Sequence, residues 1–314
     1  MSVDTALVPT AGRKRRRPLW ELVEPYFFIL PFFLLLGAFT LYTFVYGARL
    51  SLTDAQSINP GEFIGFGNFK EILTEHVDFW PAMRHTLFFA LGCILTQIPG
   101  AFILAVILNN IATRFRGVLR AAFYVPVLIN TVITSLIFRM LFNRDTGLIN
   151  YALGLVGLPN QTNWIFDSSL SIWLMIAAAF WQWTGYHMVY LLAALQSVDP
   201  TVYEVAKLDG APPWRVMLQV TLPLIRPAIT FVMLTSAIGC FSQFEYSYVL
   251  FPNNAMYGPG KAALTAVPFI FNEGFSQQFR FGLSAAGGWL LFVVILAVSL
   301  FQLRFLKLGQ ADDL

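Results

Sequence analysis

The chain has 314 residues and a formal net charge of +3, with 57% hydrophobic residues and only 12% Asp, Glu, Lys and Arg. About a quarter of the residues of an average soluble domain are charged, so this composition excludes an ordinary soluble domain and favours a protein embedded in a lipid bilayer.

A basic segment opens the chain, in a tail that we place at residues 1–25. It contains Arg13, Lys14, Arg15, Arg16 and Arg17. Such a cluster can signal nuclear import or nucleic-acid binding. Because an apolar run follows it directly, we interpret it as a membrane-topology signal and expect no nucleic-acid partner. The apolar run is too long, and lacks the small-residue cleavage site, for a removable signal peptide.

Six apolar runs follow, each long enough to cross a bilayer as a helix, which takes about 20 residues. They lie near 27–50, 85–109, 122–142, 170–194, 225–250 and 282–304. Some contain Pro or Gly, which membrane helices tolerate better than soluble helices do. The predicted fold class is therefore an all-α integral membrane protein with six transmembrane helices. Its single membrane domain covers 26–306, and a short tail follows at 307–314.

The orientation of the runs follows from the distribution of Lys and Arg. Thirteen of them fall in the two tails and in the loops after the second and fourth runs, and seven fall in the other loops. Because cytoplasmic loops carry the excess of positive residues, both termini are predicted to be cytoplasmic. Loops 51–83 and 251–280 are then external, and the first is expected to form small surface helices.

The loop after the fourth run, about 197–223, is polar and rich in turn signals. Asp199 can cap a helix that Pro200 begins, and Gly210 tolerates the positive φ of a sharp reversal. Pro212-Pro213 permit a second helical start, and Leu222-Pro223 are expected to end that helix. The sequence predicts two short helices joined at Gly210, where any side chain would intrude. We call this segment the elbow.

The elbow resembles the EAA loop of binding-protein-dependent ABC importer permeases. That pattern is Glu-Ala-Ala, then Asp-Gly-Ala, then a branched apolar residue followed at two and three positions by Leu-Pro. The matching segments are Glu204-Val205-Ala206, Asp209-Gly210-Ala211 and Val220-Thr221-Leu222-Pro223. Val205 replaces Ala and Val220 replaces Ile, and both replacements stay apolar. Segments 192–200 and 64–69 (Ile-Gly-Phe-Gly-Asn-Phe) are similar to the carbohydrate-uptake, maltose-type branch.

The resemblance implies a non-catalytic permease subunit of an ATP-driven sugar importer in a bacterial-type cytoplasmic membrane. The implied partners are a second homologous permease, two ATP-binding subunits and an extracytoplasmic sugar-binding protein. ATP and Mg would be bound by the ATP-binding subunits, and no cofactor is expected on this chain. The implied ATPase-coupling residues are Glu204, Ala206, Asp209, Gly210 and Ala211. Spacing alone is equally compatible with Glu204 and Asp209 solvating an ordinary surface turn.

Polar and aromatic residues form one face on each of two runs. The face of the fourth run contains Ala179, Trp183, Tyr186, His187 and Tyr190, and that of the fifth contains Ser236, Gly239, Cys240, Gln243 and Ser247. Polar groups inside a membrane usually face a cavity. The predicted substrate path is Ala179, Trp183, Tyr186, His187, Ser236, Gly239, Cys240 and Gln243. The alternatives are packing of small residues between helices and anchoring of Trp and Tyr at the membrane interface.

Other chemistry finds no support in the sequence. There is no phosphate-binding loop of the G-x-x-x-x-G-K-[ST] type, no H-E-x-x-H and no G-x-S-x-G. With three His and two Cys, a metal site is not expected, and Cys93 and Cys240 are interpreted as small core residues. A glycerol-phosphate permease of the same class would need basic cavity residues. A self-sufficient channel or ion-coupled carrier would be expected to have buried acidic residues near the bilayer midplane and to lack the elbow.

Overall fold

The computed structural model describes residues 19–56, 61–110, 113–252, 257–275 and 279–306. Throughout these ranges the regular elements are helices, and β-structure is limited to an isolated bridge between Thr53 and Phe63. The basic cluster at 13–17 and the tail at 307–314 lie outside the described residues. The chain divides into two compact units, Met1–Arg49 and Leu50–Leu314.

The first unit is formed by a long helix, α1. It begins as Leu19–Leu35, passes through a π-helical segment at Leu36–Leu41 and continues as Tyr42–Ser51, which extends just into the second unit. The segment Tyr26–Ser51 is long and apolar enough to cross a membrane.

The main helices of the second unit follow in chain order. They are α2 Gly67–Thr74, α3 Phe79–Asn110, α4 Thr113–Leu128, α5 Thr131–Leu141, α6 Leu148–Leu155, α7 Ser171–Gln196, α8 Pro200–Leu208, α9 Pro213–Val216, α10 Arg226–Phe241, α11 Glu245–Val249, α12 Ala266–Phe275 and α13 Phe281–Leu306. Helix α2 lies in the loop where small surface helices were expected.

Four described segments are long and apolar enough to be membrane spans, and a bent pair of helices would be a fifth if it is counted as one span. Besides Tyr26–Ser51 they are Phe79–Asn110, Arg226–Val249 and Phe281–Arg304, and the bent pair is α4 with α5. Helix α7 has 26 residues, or about 39 Å at 1.5 Å per residue. It is long enough to cross a bilayer, but Gln182, His187 and its Trp and Tyr residues make it less apolar than the others.

The third predicted run, 122–142, is not one straight helix. Helices α4 and α5 meet at 98°. Asn130 explains where the second helix begins, because its side chain accepts a hydrogen bond from the Val132 backbone N–H at 2.8 Å and so caps α5. Pro126, inside the last turn of α4, further weakens the continuous helix.

Helix α7 occupies the centre of the second unit. It packs against α3, α4, α5, α10 and α11, and apolar clusters along its length contain Met175 in one half and Met188 in the other. Glycine permits the closest approach. A Cβ built on Gly185 would overlap the backbone carbonyl of Phe123 on α4, so α4 and α7 meet there backbone against backbone.

The Gly-Asn-Phe segment has a structural role near the end of α1. The buried Asn68 amide donates to the carbonyl oxygens of Ser51 at 2.9 Å and Thr53 at 2.7 Å. From the other side, the Gly282 N–H donates to the Ala55 carbonyl at 3.1 Å. These bonds satisfy backbone groups of a loop that forms no regular ladder of its own.

The predicted end of the second elbow helix at Leu222-Pro223 is wrong. Helix α9 continues through a π-helical segment, Met217–Thr221, and then Leu222–Leu224, and the break comes at Ile225 with φ −93° and ψ 6°. In the wider π turn the Leu222 N–H bonds to the Met217 carbonyl. We attribute the tolerance of Pro223 to this altered hydrogen-bonding pattern directly before it, where proline lacks the N–H of an ordinary α-helical bond.

Candidate functional site: a cavity beside α7 and the elbow

A cavity of about 230 Å³ lies between α3, α7 and α10. It is lined by Phe89, Gln97, Ala179, Trp183, Tyr186, His187, Thr235, Ser236, Gly239, Cys240, Gln243 and Tyr246. The structure thus brings together around one space all eight residues of the predicted substrate path. Among the described residues that line it, none is Asp, Glu, Lys or Arg.

Aromatic rings from α7 form one wall of the cavity. The Tyr186 ring meets the Trp183 ring edge-on, with 6.3 Å between centroids, and meets the His187 ring in the same way at 5.5 Å. Residues three and four apart on a helix lie on the same side, which is why these three rings share the wall. Ring faces of this kind can pack against the C–H surface of a small molecule.

His187 supplies a polar atom without a partner. The residue is 3% exposed, and its Nδ1 has no hydrogen-bond partner in the described part of the chain. A buried polar group left unpaired costs about 1–3 kcal/mol. The atom itself is shielded from solvent, so a guest hydroxyl would reach it only after a neighbouring group moves.

Amide and hydroxyl groups from α3, from α10 and from Gln243, just beyond the end of α10, form a polar part of the lining. The Ser236 hydroxyl donates to Gln97 Oε1 at 3.3 Å across the two helices. The Gln243 amide donates to Glu245 Oε2 at 3.2 Å. Sequence reasoning missed four lining residues, Phe89, Gln97, Thr235 and Tyr246. Of these four, Gln97 could have been predicted, because it is a polar residue inside an apolar run.

Two residues of the predicted faces do not line the cavity. Tyr190 instead stacks on Phe231, with ring centroids 4.7 Å apart. Ser247 donates its hydroxyl to the backbone carbonyl of Ala263. Because α10 ends at Phe241 and α11 begins at Glu245, helical spacing counted through the break no longer predicts a shared face.

The two cysteines are buried and unbridged, Cys93 on α3 and Cys240 on α10. Cys240 lines the cavity, and both cysteines belong to the apolar cluster that also contains Phe89.

The elbow begins and turns as its sequence predicts. The Asp199 carboxylate accepts a hydrogen bond from the Thr201 N–H at 2.9 Å and caps α8. That bond, with a second from the Thr201 hydroxyl, lowers the pKa of Asp199 from its ordinary value. At the other end Gly210 has φ +68°, and the Ala211 N–H reaches back to the Ala206 carbonyl at 3.1 Å. This is the common glycine-terminated helix end.

The five predicted coupling residues differ in exposure. Glu204, Asp209 and Gly210 are exposed, Ala211 is half-buried and Ala206 is buried within the chain. An apolar pair also lies on the exposed surface, Val205 at 57% and Leu208 at 88% exposure. The predicted coupling residues are all charged or small, so they do not include Leu208. The exposure of Leu208 could not be predicted from helical spacing alone.

Comparison with known proteins assigns the family. Residues 97–307 match the model of the binding-protein-dependent transport system inner membrane component. The chain belongs to this family. It is therefore a multi-pass inner-membrane component of a transport system, the permease subunit of an ATP-driven importer, as the resemblance of the elbow and of the Gly-Asn-Phe segment predicts.

Relatives cover nearly the whole chain. The arabinooligosaccharides transport system permease protein AraP of Bacillus subtilis (strain 168) is 35% identical over 303 residues, which is 95% of this chain and 94% of AraP. The lactose transport system permease protein LacF of Rhizobium radiobacter is 32% identical over 283 residues, 89% of this chain and 93% of LacF.

A solved structure shows the same fold. One chain of a bacterial alginate ABC transporter, crystallised with an alginate pentasaccharide-bound periplasmic protein, superposes with a TM-score of 0.79. The superposition covers 91% of this chain and 96% of the other, with 23% sequence identity. The all-helical architecture of this permease is therefore shared with a structurally characterised importer.

Proposed function

We propose that this chain is one of two permease subunits of an ATP-driven importer for an uncharged oligosaccharide, and that the cavity beside α7 is its half of the translocation path. The observation that carries the proposal is the cavity lining. It combines aromatic rings for the C–H faces of a sugar with amide, hydroxyl and imidazole groups for its hydroxyls. The names of the relatives, an arabino-oligosaccharide permease and a lactose permease, support the same substrate class.

The size of the cavity supports one sugar ring on this chain. Its volume of about 230 Å³ lies below the roughly 300–1,000 Å³ typical of pockets for drug-sized ligands. A longer sugar would therefore extend beyond this chain. We infer that a second, homologous permease subunit contributes the rest of the path.

The lining argues against a phosphate ester. A phosphate-bearing substrate would call for Arg or Lys in the cavity, and among the described lining residues there is neither. An anionic sugar would meet the same obstacle. The glycerol-phosphate alternative is therefore less well supported than a neutral sugar.

We propose six spans, with the bent α4–α5 pair as the third and α7 as the fourth. The distribution of positive residues supports a cytoplasmic location for both termini and the elbow. There the elbow would dock on an ATP-binding subunit, with Glu204 and Asp209 offering charge and Leu208 an apolar anchor. ATP and Mg would be bound by two ATP-binding subunits, and an extracytoplasmic binding protein would deliver the sugar. The chain itself would hold no cofactor and catalyse no reaction.

Paired substitutions in the cavity test the proposed path. In the assembled complex, Tyr186→Ala and Gln243→Ala should each raise the sugar concentration for half-maximal uptake about tenfold, as expected for the loss of one hydrogen-bonding contact. The matched control is Tyr190→Ala, which removes the same kind of ring from the same helix at a position that borders Tyr186 but does not line the cavity. Normal uptake of every tested sugar by both cavity variants, with normal subunit stoichiometry, would show that these faces only pack helices together.

A further inference from the structure

Gln182 on α7 joins two parts of the fold that are far apart in sequence. The residue is 1% exposed. Its Nε2 donates to the backbone carbonyl of Ile129 at 2.8 Å and lies 3.4 Å from Thr131 Oγ1. Its Oε1 accepts a hydrogen bond from the Tyr246 hydroxyl at 2.5 Å. One side-chain amide therefore connects the bend between α4 and α5 with a residue of the cavity wall.

The backbone carbonyl groups at the bend need a hydrogen-bond donor from outside their own helix. Where a helix ends, its last carbonyl groups lack intrahelical partners, and in the apolar part of a membrane an unpaired backbone group is costly. Gln182 satisfies the Ile129 carbonyl at that point. One turn along α7, Gly185 lets the backbone of α4 approach at Phe123. The same face of α7 thus holds both limbs of the bend.

The other end of the connection reaches the sugar path. Tyr246 lines the cavity, and its ring lies edge-on to Phe89 with centroids 6.3 Å apart. Its hydroxyl hydrogen is directed at Gln182. A guest that displaces the Tyr246 ring must therefore stretch that hydrogen bond or move the amide, and the amide is held by Ile129.

We propose that Gln182 is a positioning residue that couples occupancy of the cavity to the angle between α4 and α5. The inference rests on the proposed function in that the occupant is the imported sugar. The chemistry requires an amide, because a donor must face the Ile129 carbonyl while an acceptor faces the Tyr246 hydroxyl. A carboxylate would keep the acceptor and lose the donor, and an aliphatic side chain would lose both.

Spin labels on the two limbs measure the bend directly. The sites Val118→Cys on α4 and Met140→Cys on α5 are both exposed, and a sample without added cysteines measures labelling of the buried Cys93 and Cys240. In the full complex without sugar, Gln182→Leu should broaden or shift the inter-label distance distribution. The matched control is Thr184→Val, which removes a buried hydroxyl that bonds to the Phe180 carbonyl within α7.

Transport kinetics test the coupling to the cavity. Gln182→Leu and Tyr246→Phe should each raise the KM for sugar on the order of tenfold while the maximal uptake rate changes less than about twofold. Because the two side chains act through one hydrogen bond, the double variant should be no worse than the more affected single variant. Gln182→Glu should also impair transport where its carboxyl group is ionised, since only the protonated form keeps a donor for the Ile129 carbonyl.

The outcomes separate this inference from the proposed path. Tyr246→Phe keeps the ring and the packing, so it remains informative if Gln182→Leu fails to assemble. An unchanged distance distribution in Gln182→Leu, or independent and additive effects of the two substitutions, would overturn the positioning role even if Tyr186→Ala behaves as expected. Conversely, a changed distribution without sugar, combined with no effect of any cavity variant on uptake, would remove the coupling to sugar and refute the proposal as stated.

Discussion

Arg280 donates two hydrogen bonds from Nη2 to Glu71, one to each carboxylate oxygen, each at 2.6 Å. The pair connects α2 with the segment that leads into α13, across 209 positions of sequence. Two further pairs lie in the same pocket, His76 with Glu273 at 3.3 Å and Lys261 with Asp78 at 2.5 Å. Loops that were predicted only as external segments are therefore joined to each other.

Removing the Arg280 charge should loosen this connection. Both side chains are partly exposed, so we expect Arg280→Gln to cost about 1 kcal/mol or less in stability and Arg280→Lys to restore part of it. The difference should shrink at high salt. Thermal unfolding of the purified complex measures the effect, and Lys70→Gln on the exposed surface of α2 is the charge-matched control. A loss of stability that does not change with salt concentration would show that Arg280 acts through packing and not through its charge.

Substitutions at Gly210 should be tolerated in the order in which the new residues adopt a positive φ. A Cβ at this position would meet no described atom of the chain within 4 Å, so intrusion of a side chain stays a prediction about the docked ATP-binding subunit. The positive φ of +68° still disfavours residues with a Cβ by roughly 1 kcal/mol or more. Sugar-stimulated ATPase activity should fall in the order Gly, Asn, Ala, Val. Equal activity of Asn and Val would contradict this.

Leu208 should be required for docking of the ATP-binding subunit. At 88% exposure it is a large apolar side chain on the surface of the elbow, and burying such a side chain contributes about 1.5–3 kcal/mol. Leu208→Glu should therefore reduce recovery of the ATP-binding subunits with the purified permease at least tenfold. Leu158→Glu, at another exposed leucine, is the control. Full recovery with Leu208→Glu would exclude an anchoring role.

Acidification should loosen the start of the elbow through Asp199. Its pKa in the folded chain is lowered by the hydrogen bonds from Thr201. The stabilisation is therefore present above the pKa of the unfolded chain, about 3.9, and is lost as pH falls through the lower folded value. Hydrogen exchange in α8 should become faster in wild type than in Asp199→Asn on acidification below about pH 4, since Asn caps without titrating. Identical pH profiles would refute this.

The orientation can be read from thiol labelling in intact cells. A cysteine at Gln56 should react with an impermeant reagent added outside, whereas a cysteine at Val205 should react only after the membrane is opened. Val205 is exposed on the elbow, so protection would reflect the membrane. Asn254, in the other loop predicted to be external, lies outside the described residues. The reverse labelling pattern would overturn the assignment from positive residues.

Helical spacing predicted most of the cavity lining on the regular helices, but Tyr190, on the predicted face of α7, does not line the cavity. Ala179, Trp183, Tyr186 and His187 lie on uninterrupted α7, so their positions follow from 3.6 residues per turn. The stripe on α10 holds for the same reason up to Cys240. Beyond the end of that helix the prediction for Ser247 is wrong, and Tyr246 takes a place on the cavity wall that no periodicity indicated.

The bend and its support could not be derived from composition. Run 122–142 is predominantly apolar, and the local signals for a break, Pro126 and Asn130, are weak because membrane helices accommodate both types of residue. Gln182 was overlooked since it lies outside the face that contains His187. Its role depends on Ile129 and Tyr246, which are distant in sequence, and a pairing of that kind is created only by tertiary packing.

The modest hydropathy of α7 has a consequence for biosynthesis. A nascent helix carrying Gln182 and His187 partitions into lipid less readily than its neighbours do, because each polar side chain opposes release from the insertion machinery. In the proposed six-span arrangement, α3 and the α4–α5 pair emerge from the ribosome first, and they are helices against which α7 packs. We therefore expect α7 to enter the bilayer by associating with partners already inserted, so that the most central helix is the one whose integration depends most on the others.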